Sequence, residues 1–298
     1  MSTKAPFTLL TAFSNQFQGG NPAVVAFLDI NLPTTTLHTI ARTLGQPIAS
    51  FVSSTPLPSK DEKTVAFGIR WFTTSDFEVP LCGHGTIAAA KAVFERSDLV
   101  TDAVDTIEFH TLTYGIMTAR KVEGGLFEIK LPSGRQVEIT GDERAGIHER
   151  VVRMFGKEDL AINYIGKGVD NFDHCLLIEL DEKEDLKGCR PNAQALSGNG
   201  FSINIVTTAS TSGKEVFVSR MFAPGFVTGD EDHVCGSAHC VLVPYWSKKL
   251  NIARGNEIKA TQVSRRGGDL KVVWDSEEDI VTLRGEVTIL ANGELCLP

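Results

Sequence analysis

Two stretches of this chain repeat one another, and each carries a cysteine at the same point. The first reads Arg70-Trp71-Phe72-Thr73, then Pro80-Leu81-Cys82-Gly83-His84-Gly85-Thr86, then an alanine-rich run. The second reads Arg220-Met221-Phe222-Ala223, then His233-Val234-Cys235-Gly236-Ser237-Ala238-His239, then another apolar run. A repeated strand, Cys-Gly, helix unit calls for two similar halves, each presenting one thiol. Two thiols on opposite faces of one carbon meet the needs of a cofactor-free racemase or epimerase. One removes the α-proton and the other delivers a proton to the opposite side.

The pattern along the chain fits that duplication. Residues 7–13 and 23–28 read as strands around the Gly19-Gly20-Asn21-Pro22 turn. Leu37, Ile40, Ala41 and Leu44 have helical spacing, so a helix is predicted from Thr35 or Thr36 to Gly45. Strands follow at 49–53 and 65–72, with a solvated tip over 55–63 between them. Residues 87–96 form a buried helix with a glycine-loosened start, and strands at 106–110, 116–120 and 126–131 finish the first half. The second half repeats the order loosely: a short helix at 150–155, strands at 175–180, 202–207 and 216–222, and a helix at 238–249. Pro244 is expected to kink or break that last helix. A hairpin of 270–274 with 280–283 closes the chain. Pro132-Ser133-Gly134 marks the boundary, giving halves 1–132 and 133–298, with the last strand packing back on the first half.

Several function classes are excluded by the bulk chemistry. The 298 residues suffice for two domains. A net charge of -8 argues against nucleic acid, whose phosphates require a basic surface. No secretory leader and no apolar run long enough for a membrane span are visible, so no membrane partner is expected and a cytoplasmic location follows. In a reducing cytosol most of the 6 cysteines should be free thiols. Neither a Walker nor a Rossmann glycine pattern follows any strand, so no nucleotide cofactor is expected. His233, Cys235, His239 and Cys240 are crowded and of the type zinc favours, but their spacing is not a finger's, and no metal is expected.

The chain resembles the PhzF-like (phenazine-biosynthesis-like) family. The resemblance rests on Gly20-Asn21-Pro22-Ala23-Val24-Val25, on Arg70-Trp71-Phe72-Thr73, and on Pro80 through Ala90. It rests too on Phe222-Ala223-Pro224, on Glu231 through Cys240, and on Pro244-Tyr245-Trp246. It covers nearly the whole chain. It implies an α+β fold of two pseudo-symmetric halves, each a mixed β-sheet or barrel around a central helix, as in diaminopimelate epimerase. The active site would lie between the halves, and by analogy with relatives a homodimer is expected.

Two departures from the family matter. Its usual catalytic glutamate falls on Ile48, within Gln46-Pro47-Ile48-Ala49-Ser50-Phe51, and isoleucine cannot exchange protons. The residue before Gly236, typically threonine, is Cys235, as in the second motif of two-cysteine epimerases and racemases.

The chemistry assigns roles. A thiolate is tolerated at a helix N-terminus, where unpaired N–H groups point outward. Those groups can also bind a substrate carboxylate and stabilise an enolate-like state. Cys82 and Cys235 are therefore the expected acid–base pair, though each could be a small buried residue. Asp232, matching the family's acidic site residue, either joins the catalysis or caps a helix. His84 either binds substrate, relays a proton or caps the helix that follows. Gly83, Gly85 and Gly236 let backbone approach a ligand. Thr86 is counted with them as substrate-binding, Ser237 either donates to a substrate carboxylate or caps its helix, and Asn21 either lines the cleft or shapes its turn.

Three readings follow. The first is a cofactor-independent epimerase or racemase of a small amino-acid-like carboxylate. The second is a PhzF-like double-bond isomerase or lyase using Asp232 and His84. The third is a binding protein that lost the glutamate.

Overall fold

The structure, a computed structural model, describes residues 4–59, 61–75 and 77–297. The chain divides into two compact units. One runs to Lys130 and regains the segment from Arg284 on; the other is Leu131–Leu283.

In the first unit the elements are β1 (Lys4–Ala12), β2 (Asn21–Leu28), α1 (Thr34–Leu44), β3 (Ile48–Ser53), β4 (Thr64–Phe72), β5 (Glu78–Val79), α2 (Gly83–Phe94), β6 (Thr106–His110) and β7 (Ile116–Lys121). At the junction of the units lies β8 (Phe127–Pro132). The second unit holds β9 (Gln136–Glu138), α3 (Gly141–Phe155), β10 (Ile162–Gly168), β11 (Cys175–Leu180), β12 (Ile203–Ala209), β13 (Phe217–Phe222), β14 (Glu231–Asp232), α4 (Gly236–Lys249), β15 (Glu257–Gln262) and β16 (Gly268–Asp275). Then come β17 (Ile280–Gly285) and β18 (Val287–Cys296), the latter antiparallel to β1. Lys60, inside the tip expected over 55–63, lies outside the described residues.

The two units repeat one set of pairings. In the first, β1–β2 is antiparallel, β2–β3 parallel, β3–β4 and β4–β5 antiparallel, β4–β6 parallel and β6–β7 antiparallel. In the second, β10–β11, β11–β12, β12–β13, β13–β14, β13–β15 and β15–β16 follow the same order of directions. The fold is α+β, with each mixed sheet closed around one helix.

Alternation along the strands supplies both faces. On one face Val24, Ala26 and Leu28 pack with Leu37 and Ala41, which lie four residues apart on α1. The other face covers α2, which touches β1, β2, β3 and β7. Its alanines are buried all round, as befits a core helix. In the second unit α3 sets Ile147, Val151 and Met154 against Leu176, Ile178 and Val206, and α4 takes the central place, touching β11 and β16. No helix among the described residues is long and apolar enough to cross a membrane.

Two helices differ from the sequence expectation. The first, α3, begins at Gly141 rather than near Arg150. Asp142 and Glu143 in its first turn favour the positive end of the helix dipole, and its buried stripe starts at Ile147. The second, α4, runs through Pro244 without a break. Proline has no N–H to give the Cys240 carbonyl, and the Gly134 N–H supplies that bond instead at 2.8 Å. A Cβ on Gly134 would sit 2.8 Å from Val241 Cγ2, so only glycine comes that close. The Ser133–Gly134 segment is thus tied into the second unit, with the Ser133 N–H donating to the Asp279 carbonyl at 2.7 Å.

Candidate active site

In the first unit the half-site is built from the β4–β5 pair. Trp71 faces Val79 and Phe72 faces Glu78 across the ladder. Arg70 donates through Nε and Nη2 to the two Glu78 carboxylate oxygens, at 2.7 Å each. Its Nη1 reaches the Ile30 carbonyl at 3.0 Å, and the guanidinium lies 5.1 Å from the Phe72 ring centroid. This two-pronged pair fastens β5, and the chain then enters α2 through Pro80-Leu81-Cys82.

Cys82 is the N-cap of α2 in extended conformation, and its sulfur accepts the Gly85 N–H at 3.4 Å. A sulfur there sits on the positive end of the helix. His84 Nδ1 lies 3.5 Å from Cys82 Sγ. Both side chains are half-buried. A Cβ on Gly85 would lie 2.8 Å from Trp71 Cδ1 and 2.9 Å from Ser50 Oγ. Close side-chain packing therefore accounts for the absence of a side chain at Gly85. Thr86, expected to bind substrate, is fully buried, and its hydroxyl donates to the Cys82 carbonyl at 2.6 Å. Asn21 is fully buried at the start of β2, opposite Ala12. Ile48 opens β3 opposite Ala23 and is 2% exposed, an apolar residue on an apolar ladder.

The second unit repeats this construction. Arg220 donates through Nε and Nη2 to the Glu231 oxygens at 2.6 and 2.8 Å, and its guanidinium again lies 5.1 Å from the ring of the following phenylalanine, Phe222. Cys235 is the N-cap of α4, and its sulfur accepts the Ala238 N–H at 3.4 Å. The halves differ in exposure, because Cys235 is only 6% exposed. Burial pushes its thiol well above the usual range, and the Asp232 carboxylate pushes the same way. Asp232 and Ser237 are half-buried beside it.

Sequence reasoning missed the residue that holds this turn. Gln262, at the end of β15, is fully buried. Its Oε1 accepts the Cys235 N–H at 2.9 Å, and its Nε2 donates to the Asp232 carbonyl at 2.7 Å. It lies in no motif, and its one sequence signal is its place after the repeated strands. Ser50, whose hydroxyl donates to the Gly85 carbonyl at 3.1 Å, was also missed as a partner of α2.

The four residues weighed as zinc ligands are not gathered. His239 turns its Nδ1–H back to the Cys235 carbonyl at 2.7 Å. Among the described residues no group of three or more His, Cys, Asp or Glu is placed to hold a metal ion. Among the described residues the buried His239 ring has no partner at Nε2, and burial lowers its pKa to about 4. The unfolded chain binds a proton there near pH 6.5 and the folded one does not. Stability from this group is therefore complete above pH 6.5 and lost as pH falls toward 4. Denaturant unfolding at pH 7.5 and pH 5 is expected to show a loss of about 1–2 kcal/mol that His239→Gln removes.

Apart from Asn21, which opens β2, each unit brings its expected residues to one helix start. Cys82, Gly83, His84, Gly85 and Thr86 open α2; Asp232 precedes, and Cys235, Gly236 and Ser237 open, α4. Two units of one strand order, each closed around a helix that begins Cys-Gly, define the diaminopimelate epimerase-like class of folds. A hydroxyproline epimerase from Agrobacterium vitis shares that fold, with a TM-score of 0.55 at 12% identity over 98% of this chain and 91% of its own.

Within the class, the family pattern described as phenazine biosynthesis-like protein matches residues 10–293, and the chain belongs to that family. An uncharacterized isomerase of Halalkalibacterium halodurans is 35% identical over 292 residues, covering 98% of each chain. The crystal structure of a PhzF-family protein from Enterococcus faecalis matches with a TM-score of 0.79 and 28% identity, over 99% of this chain and 100% of that one.

Proposed function

We propose that this protein is a cofactor-independent epimerase or racemase, acting on a small amino-acid-like carboxylate with Cys82 and Cys235 as paired acid and base. The observation that carries the reading is the repeated N-cap: each sulfur accepts the N–H three residues on at 3.4 Å, at the start of a buried helix. N–H groups of those first turns would receive the substrate carboxylate and the charge that develops on it.

The unequal surroundings set the starting protonation. Cys235, buried beside Asp232, holds its proton and is the acid. Cys82, half-buried with the His84 ring 3.5 Å from its sulfur, is assigned the base. One enantiomer loses its α-proton to Cys82 and gains one from Cys235; the other enantiomer runs the reverse path. The reaction belongs in the cytoplasm, where the six free thiols stay reduced.

The test is a screen of amino acids and related carboxylates in D₂O for exchange at the α-carbon, followed by optical rotation. Exchange with inversion supports the reading. Exchange with double-bond migration and no inversion would favour Asp232 and His84 as the working pair. Absence of exchange across the screen would leave a binding protein.

Ile48→Glu separates the two-thiol path from the family's carboxylate path. With the thiols as bases, the variant is expected to show no gain in turnover. It is also expected to lose about 1–3 kcal/mol of stability, because a carboxyl would enter an apolar wall. A large gain in turnover would identify a PhzF-type isomerase instead.

A further inference from the structure

We infer that Gln262 is the positioning residue of the Cys235 half-site, holding the turn that carries Asp232 and Cys235 in its working shape. The inference rests on the two-thiol reading above.

The side chain bridges the two ends of that turn. One amide group accepts from the Cys235 N–H and donates to the Asp232 carbonyl, with His233 and Val234 looped between. A primary amide is suited to this because it carries acceptor and donor in one rigid plane. The chain around Gln262 is held on both sides, with Thr261 before it laddered between Val218 and Asp269 and the two residues after it bonded in turn. The Val263 N–H donates to the Ser219 carbonyl at 2.8 Å, and the Ser264 hydroxyl donates to the His233 carbonyl at 2.6 Å. Gln262 is fully buried, so water does not compete for either bond.

The matching position of the other half is used differently. Arg70 and Arg220 correspond, each pairing with the glutamate of the following short strand. Counting back, Gly68 matches Val218, and their partners are His110 and Thr261. Thr111 therefore stands where Gln262 does. Its backbone N–H and its hydroxyl both donate to the Gly115 carbonyl at 2.9 Å, closing a hairpin. A cavity of about 280 Å³ lies between Thr111 and the Val79-Pro80 segment. The Cys235 turn is clamped by the Gln262 side chain, whereas Thr111 at the corresponding place closes its own hairpin and lines a cavity with Val79 and Pro80.

A clamp on the acid has a specific kinetic consequence. Proton transfer requires the sulfur within reach of the α-carbon, and a misplacement of about 1 Å can cost roughly 10²-fold. Gln262→Met preserves length and removes both polar contacts. It is expected to lower kcat for inversion about 30–100-fold with KM changed less than about 3-fold.

The deciding experiment reads each cysteine by mass spectrometry during iodoacetamide alkylation of the folded full chain. In Gln262→Met, the Cys235 rate is expected to rise at least about 10-fold, while Cys82 stays within about 2-fold. Cys175 and Cys240, buried in the same unit, report general loosening and should not move. A Cys235 rate within about 2-fold of wild type, or a rise shared by Cys175 and Cys240, overturns the inference. Should Gln262→Met fail to fold, Gln262→Glu decides by the same rates, since it keeps the acceptor for Cys235 and loses the donor when ionised. If the wild type exchanges no compound in D₂O, the two-thiol reading fails, and alkylation still decides the role of Gln262.

Discussion

Replacing either Cys82 or Cys235 by serine is expected to abolish net inversion, with a loss of about 10²–10⁴-fold, the usual worth of a positioned acid or base. Serine matches cysteine in shape, but its hydroxyl is far less acidic than a thiol, whose unperturbed pKa is about 8.5. Inversion needs both groups in either direction, so both variants should fail alike. Elimination of a β-leaving group needs one base on the correct face. Cys235→Ser is expected to retain elimination from one enantiomer of a β-chloro amino acid, and Cys82→Ser from the other. The measurement is pyruvate-type product release from each pure enantiomer. Full turnover in both serine variants would sink the two-thiol mechanism and turn attention to Asp232 with His84.

The second large effect concerns stability. Arg220→Ala would strand Glu231, whose carboxylate now takes both prongs of a guanidinium that is 8% exposed. Breaking a buried pair by removing one partner costs about 3–5 kcal/mol, because the remaining charge stays desolvated. Urea unfolding should show that loss. Arg135→Ala, which breaks a pair 65% exposed on both sides, should cost less than about 1 kcal/mol. Equal small effects in both variants would show that the Arg220 pair does not anchor β14. The same construction at Arg70 and Glu78 explains why the arginine recurs in both copies. In each unit it fastens the short strand that delivers the cysteine to its helix.

The prominence of the cysteine pair in the sequence has a physical basis. An N-capping residue followed by glycine and an apolar run is a local signal, since capping and helix start depend on residues within one turn. Cys82 and Cys235 both prove to be such caps. The duplication was legible for the same reason, because Arg-x-Phe and Cys-Gly keep their order in both copies. The start of α3 was less legible. Gly141 and Gly146 weaken its helical pattern, and its stability comes from Ile147, Val151 and Met154 packing on β10 and β11. Tertiary burial outweighed local propensity there. Pro244 points to a kink or break because its missing N–H is a local fact, whereas the Gly134 N–H that replaces it lies more than a hundred residues away.

Much of the rest was decided by long-range contacts. Gln262 reaches Cys235 from 27 positions on, through a strand pairing that no short motif records. Position 85 is held to glycine by Trp71 and Ser50, which β4 and β3 bring into the space where a side chain would begin. The unequal burial of the two cysteines is likewise a tertiary property, set by what packs over each helix start. The sequence by itself determined the repeat, the two helix-capping thiols and the absence of a carboxylate at Ile48, all carried by residue identity and short spacing. Tertiary structure alone decided which thiol is buried, which glutamate each arginine holds and which amide clamps the turn, because those contacts form only when distant strands pair.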